Sequence, residues 1–347
     1  SMRLTFCLLL IAAASSSFSA SAHSAPPRVL EVDPGGSTPY KTIASAAKAV
    51  QPGDTLRLKP NSGPYREILL IKTSGTAEAP ITIDGGNNVV TGFDPITTWE
   101  EKDGTVFCKV KTFPCVIAHQ GERLVHDATT KQFTKYADLN ETKDTLTLRP
   151  GVSQEGWEIS KRAFAVQITN ASHHIYRNLR ASGSTNDGFN LHGEGADLLF
   201  ENIEGFQNLD EGYSSHDSII SVIRGAKFWG NDNGIANSFR DQTTLSTTVV
   251  DTDVYDNLGF GVSLHDCSAV LQNVRIWHNG LRQLRFNAAT IECENVTVYT
   301  PKHRSRQWLS YTDSKDLTNM FAYSAGKECV IKGTPPKVLE DEDAPKN

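Results

Sequence analysis

Between residues 186 and 264, apolar and polar positions alternate with a period of two, in short runs separated by turns of Asn, Asp and Gly. Four units stand out: Asn186–His192 (NDGFNLH), Asp210–His216 (DEGYSSH), Asp232–Ser238 (DNGIANS) and Asn257–Ser263 (NLGFGVS). Their glycines, Gly188, Gly212, Gly234 and Gly259, lie 24, 22 and 25 residues apart. Leu281, after Asn279-Gly280, falls 22 residues further on, and an earlier run, Phe164–Ile168, matches the strand without the glycine. Each unit adds a second strand, such as Leu198–Ile203 or Val270–Ile276, and closes on Asn208, Asn231, Asp256 or Asn279.

Helices do not account for this pattern. The runs are short, β-branched or aromatic, and alternate residue by residue. A repeat of this length with turn residues at fixed places predicts a β-solenoid, each coil stacked on the last. Leucine-rich repeats share the length, but their L-x-x-L-x-L pattern is missing. The asparagines before the turns should stack as a ladder, each amide bonding the next coil. Upstream, Thr42–Val50 reads as a short amphipathic helix able to cap the open end of the core, and Pro52–Leu58 reads as a turn and strand. The irregular stretch from Thr97 to Pro150 predicts side loops and strands.

Alternation also assigns faces. Counting from each glycine, Phe189, Leu191, Ile235, Phe239, Phe260, Val262 and Leu264 point inward. The fourth position outward reads His192, His216, Ser238, Ser263 and Arg285, and the sixth reads Glu194, Ser218, Arg240 and His265. Gln283 takes the second position of the last coil. A single exposed histidine needs no function. A column of titratable and cationic groups at strand spacing repels itself unless something anionic or metallic sits on it. His216, Arg240 and His265 are therefore the candidate catalytic residues, with His192, Arg285, Gln283 and Glu194 as candidate substrate contacts. Trp229, Trp277 and Lys227 read as structural, and the outward columns hold few aromatics.

The turn before the glycines carries Asp187, Asp210, Glu211 and Asp232. Four carboxylates on neighbouring coils either form an ordinary turn ladder or hold a hard cation such as Ca²⁺, which takes six to eight oxygens.

Composition narrows the context. The 347 residues are 38% hydrophobic and 21% charged, an ordinary globular balance. Ser1 reads as a cloning remnant before Met2-Arg3, the apolar run Leu4–Ala14 and an Ala20-Ser21-Ala22 site, the pattern of a secretory leader ending near residue 25. A secreted or periplasmic protein without a membrane anchor is expected. Without Arg3 the chain keeps 33 basic against 40 acidic residues, which argues against a nucleic-acid partner. Five cysteines would remain, of which Cys108 and Cys115 are the expected disulfide pair. Residues 26–301 should form the solenoid. Residues 302–347 should form a cover and a disordered acidic tail. A monomer is expected.

The segments YKTIASAAKAVQPGDTLRLKPNSGPYREILLI (40–71) and GTAEAPITIDGGNNVVTG (75–92) resemble the opening of the pectin-lyase-like carbohydrate-active enzymes. That resemblance, from about Pro34 to Pro301, implies an all-β, right-handed parallel β-helix with a short N-terminal capping helix. It does not select an activity, since lyases, hydrolases, epimerases and tailspikes share the fold. A second resemblance is narrower. NDGFNLH (186–192) and NLDEGYSSHD (208–217) are similar to the calcium site of polysaccharide lyase family nine, which implies Asp187, Asp210 and Glu211 as ligands. Ser214 stands where that family has a further aspartate. Its catalytic lysine would fall on Ser238, Phe239 or Arg240, none of which is lysine.

The expected substrate is an acidic polysaccharide. A lyase removes the proton α to the C6 carboxylate and expels the C4 oxygen, which requires a charge neutraliser and a base. Arg240, Arg285 or Ca²⁺ suits the first role. His216 or His265 suits the second, as does Arg240, because some β-helix lyases use arginine. C5-epimerisation begins with the same proton abstraction. A hydrolase would need paired carboxyls, for which Glu194, Asp217, Asp241 and Asp266 are available, but the GHG, RIK, WIDH and RxPxxR signatures of pectinolytic β-helices are absent. A non-catalytic carbohydrate-binding solenoid would call for outward aromatic platforms.

Overall fold

The computed structural model describes residues 26–110, 114–124, 135–300, 322–326 and 328–346. The expected leader and residues 301–321 lie outside them.

Among the described residues the chain winds into a parallel β-solenoid of about 11 turns. Three stacks of parallel strands form its walls. The first runs from Leu69–Leu70 through Val166–Thr169, Phe189–His192, Glu211–His216 and the start of Asn233–Tyr255. It continues through the start of Val262–Trp277 to Leu284–Asn287 and Tyr323–Ala325. The second begins at Val29–Val32, Thr55–Leu58 and Ile81–Asp84 and passes through His174–Ser182 and Glu194–Phe206. The third starts at Val89–Thr91 and includes Lys227–Trp229. The helix Ile43–Ala47 stands in the first coil, where its buried Ile43 and Ala46 join the core. Thr42 caps it, and Glu67 accepts from the Ile43 and Ala44 amides.

The apolar alternation becomes columns. Phe189, Tyr213, Ile235, Val262 and Leu284 succeed one another in register and are fully buried. This pairing corrects one element of the repeat. Ile235 pairs with Val262, so the equivalent of Gly234 is Gly261, not Gly259, and that coil is two residues longer than the sequence spacing suggests.

The glycines are explained by the asparagine ladder. Asn208, Asn231, Asn257 and Asn279 are buried, and each Nδ2 donates to the next Oδ1 at 2.9, 3.0 and 2.8 Å. The ladder member is Asn257, not Asp256. A Cβ at Gly188, Gly212, Gly234 or Gly261 would come within 2.6, 2.7, 3.0 or 2.7 Å of a ladder Nδ2. None of these glycines has a positive φ, so each makes room for an amide rather than permitting a special turn. In the last coil Gln283 occupies the glycine position, as Val262 N donates to its carbonyl. Its Oε1 accepts from Asn279 Nδ2 at 2.8 Å and ends the ladder.

Two regions depart from expectation. The described residues between 93 and 160 form a side module of two four-stranded antiparallel sheets with an apolar core around Leu146, Trp157 and Ile159. Cys108 and Cys115 are free thiols buried in that core, not a disulfide. Burial pushes them up to about 11 and about 12, which keeps them protonated and unreactive. At the other end, the acidic tail is ordered, since Val330–Gly333 and Lys337–Glu340 pair with Thr290–Thr300 and extend the solenoid beyond residue 301.

Candidate functional site

The first stack carries the site. At the turn entering it, Asp187, Asp210 and Glu211 each offer an oxygen within 4.8 Å of the others. Asp187 is only 2% exposed; its Oδ2 accepts from Asn190 Nδ2 at 2.7 Å and its Oδ1 accepts from the Glu211 amide at 3.2 Å. Burial, then the charges of Asp187 and Asp210, push Glu211 up to about 9. Burial and Asp187 also raise Asp210. Asn190 is buried, and its Oδ1 has no hydrogen-bond partner. One buried and two partly buried carboxyls thus face one another, with the unsatisfied amide oxygen of Asn190 nearby. This is a hard-oxygen donor set of the kind Ca²⁺ takes.

Asp232, expected with them, is not in the cluster. Burial raises its carboxyl, while the nearby Arg123 opposes that shift. Arg123 comes from the side module and donates to the carbonyls of Asn208 and Gly230 at 2.6 and 2.8 Å. Gln207 Nε2 donates back to Gly121 at 2.9 Å. The module therefore grips the turns that lead into the cluster.

Beside the carboxyls lie the histidines. His192 and His216 stack with ring centroids 4.7 Å apart and planes 16° from parallel. His216 Nε2 meets Ser214 Oγ at 2.9 Å, whereas its Nδ1 has no hydrogen bond among the described residues. Burial chiefly, then the charge of His192, lowers the His216 pKa, against the pull of Asp187, Asp217 and Asp210. His216 is thus neutral at neutral pH. Asp217 Oδ2 accepts from Gly193 N at 3.1 Å and lies 3.3 Å from His192 Nδ1. Those two bonds hold Asp217 below the usual carboxylate range. Arg240 reaches within 4.0 Å of Asp217, with its side chain 81% exposed.

The corrected register rearranges the rest. The column beyond His216 reads Ser238, His265 and Asn287, so His265 shares the His192–His216 column and Ser263 does not. His265 sits two coils from His216, with Nδ1 3.0 Å from Asp266. Arg285 pairs with Ser263, in the column of Asn190 and Ser214, one coil beyond His265. Glu194 is exposed at the far turn. Gln283 is 0% exposed and belongs to the ladder, so it cannot touch substrate. Asn190 was missed as a site residue, Ser214 was read only as a departure from a calcium-ligand position, and Asp217 was read as a hydrolase carboxylate rather than as the partner of His192. A signal for Asp217 was present in the His-Asp pairs at 216–217 and 265–266, which recur on the same strand position.

Three of the four carboxylates considered for a hydrolase are otherwise engaged, and the fourth, Glu194, is exposed. Bonds from Thr244 and Thr243 hold Asp241 down at about 2, Asp217 serves His192, and Asp266 serves His265. The third stack also revises the sequence reading. Its outer face carries a ladder of Phe206, Trp229, Tyr255, Trp277 and Tyr299. The first four rings stack face to face, and the Arg180 guanidinium lies over Phe206. Ring faces spent on one another are not available for stacking on sugars.

No protein-family model matches the chain, and no curated protein matches it. Among solved structures, the complex of XylC with xylose is similar at a TM-score of 0.51 and 13% identity, over 87% of this chain and 68% of that one. Pectate lyase Pel9A gives a TM-score of 0.48 and 13% identity, over 90% and 80% of the two chains. An alginate lyase from Paenibacillus sp. str. FPU-7 gives 0.40 and 13%, over 89% and 99%. At these identities the likeness is one of fold, and the fold of this chain is a parallel β-helix.

Proposed function

We propose that the chain is an exported lyase that cleaves a uronate-containing polysaccharide by β-elimination. The observation that carries this reading is the adjacency of a desolvated carboxyl trio, Asp187, Asp210 and Glu211, to a neutral, buried-side histidine with a free ring nitrogen. With Nε2–H donating to Ser214, His216 Nδ1 presents its lone pair to the C5 proton. The electron pair of the broken C5–H bond becomes the C4=C5 double bond, and O4 departs with the C4–O pair and takes a proton from water. Asp217 bonds His192 and so keeps its ring stacked on His216. Asp187, Asp210 and Glu211 would hold Ca²⁺, with Asn190 Oδ1 as a further oxygen. Bound there, the ion supplies the positive charge that makes the proton α to a carboxylate removable. Arg240 stands exposed at the rim, where it can meet the uronate carboxylate.

A second reading rests on Glu211. A carboxyl pushed up to about 9 beside another carboxylate is also the pattern of a glycoside hydrolase acid. The two readings part on their products. Incubation with pectate, alginate, ulvan, glycosaminoglycans and glucuronans should raise ultraviolet absorbance from the unsaturated product on one of them. Reducing ends without that absorbance would establish the hydrolase instead.

A further inference from the structure

We propose that Arg282, Phe260 and Arg285 form a distal carboxylate subsite, which resting on the lyase reading makes the preferred substrate an oligouronate several sugars long. The column that begins with the acids does not stay acidic. In register it runs Asp187, Glu211, Asn233, Phe260, Arg282, one position before Gly188, Gly212, Gly234, Gly261 and Gln283. Its side chains and amides interlock: Glu211 N donates to Asp187, Asn233 Nδ2 to Glu211 at 3.0 Å, and Phe260 N to Asn233 Oδ1 at 2.8 Å. One face thus changes sign from carboxyl to guanidinium over three strand spacings, about 14 Å.

At the cationic end, Arg285 lies with its Cζ 5.0 Å from the Phe260 ring centroid. The half-buried ring fixes the guanidinium plane and leaves its edge for a ligand. Neither Arg282 nor Arg285 has a carboxylate within ion-pair distance among the described residues, and the Arg282 Nε is buried without a partner. On the neighbouring outer face Arg275, by contrast, is paired with Asp253. Two unpaired guanidiniums, one held flat on a ring, suit a planar carboxylate. Between the two ends the strands present Ala236, Ser238 and Ser263, with His265 beside them. One ring cannot reach from Glu211 to Arg282, so the two ends must bind different sugars of one chain.

Calorimetric binding of galacturonate and guluronate oligomers of two to six sugars tests this on the full chain carrying His216→Ala, which removes turnover. Arg285→Ala should weaken the longer oligomers by about ten- to hundredfold, the loss of one charge-assisted bond, so that their advantage over the dimer collapses. Arg285→Lys should restore part of the affinity. Carboxyl-reduced oligomers of the same length should show no dependence on residue 285. Equal loss for dimers and hexamers, equal loss for the neutral oligomers, or no uronate binding at all would overturn the subsite. Variants that lose cooperative thermal unfolding are replaced by Arg282→Gln, which carries the same expectation. Arginine-dependent uronate binding without any unsaturated product would leave the subsite standing and sink the lyase reading; unsaturated product with full-strength binding by Arg285→Ala would do the reverse.

Discussion

Two ladders climb the same corner of this solenoid, a few residues apart, and they are built on opposite principles. Asn208, Asn231, Asn257 and Asn279 are buried, and each donates to its successor and to a backbone carbonyl. Asp187 is buried and Asp210 and Glu211 are partly so, but their oxygens face one another and no cationic side chain among the described residues pairs with them. The amide row is closed and serves stability. The carboxyl row is costly in the empty protein and becomes favourable only when a cation or a proton arrives. A buried polar group that is fully satisfied holds the fold, and one that is not marks where a ligand belongs.

Breaking the closed ladder should have the largest effect. Asn231→Ala removes both ends of a buried bond and leaves Asn208 and Asn257 unsatisfied, a loss of about 3 kcal/mol, readable in urea unfolding. Gly212→Ala should act in the same direction by driving a Cβ to 2.7 Å from that amide. His216→Ala should leave stability nearly intact and reduce the lyase rate by about 10²- to 10⁴-fold.

The carboxyl ladder should respond in the opposite sense to charge removal. Glu211 is raised from 4.5 to about 9 in the folded chain, so between those values the unfolded chain has lost a proton that the folded one keeps. Its contribution to stability therefore falls as pH rises through that window. Glu211→Gln should raise the melting temperature of the calcium-free protein at pH 8 and flatten its decline from pH 6. Added Ca²⁺ should stabilise the unsubstituted protein by a few degrees, more at pH 8 than at pH 6. Stabilisation that is equal in Glu211→Gln would place the ion elsewhere. A smaller sharpening comes from His216, whose depressed pKa should set the acid limb of the rate profile below 6.5. The smallest effect belongs to the exposed pair Arg275–Asp253, whose loss should cost about 0.5 kcal/mol or less.

Most of the coil was legible because its period is carried by groups with one physical job each: Phe189 and its successors fill the core, and glycine clears space for asparagine. The register beyond Gly234 was not, because Leu258-Gly259-Phe260 offers a glycine two residues too early, and only the pairing of Ile235 with Val262 exposes the slip. Gln283 misled for the same reason, since a polar residue at a position counted as outward proved to be the glycine's substitute. The side module joins segments distant in sequence, as Trp157 facing His119 does, and such antiparallel contacts leave no repeat to read. The acidic end, of which Lys337–Glu340 is a strand, read as a disordered tail because an exposed end strand needs no apolar alternation. Within the site, residue type and spacing grouped the four turn carboxyls and the histidine column, and the structure brings Asp187, Asp210 and Glu211 together near His216. Asp232 was grouped with them because sequence shows the column but not Arg123, which arrives from the side module.

The most direct test of the central claim is the initial rate of ultraviolet absorbance on the responsive polyuronate, titrated with Ca²⁺ after chelation, for the unsubstituted chain and for Glu211→Gln. Saturable restoration of the rate in the first and its loss in the second are the expected results. Chain cleavage that releases reducing ends without absorbance, and that ignores the chelator, would contradict it.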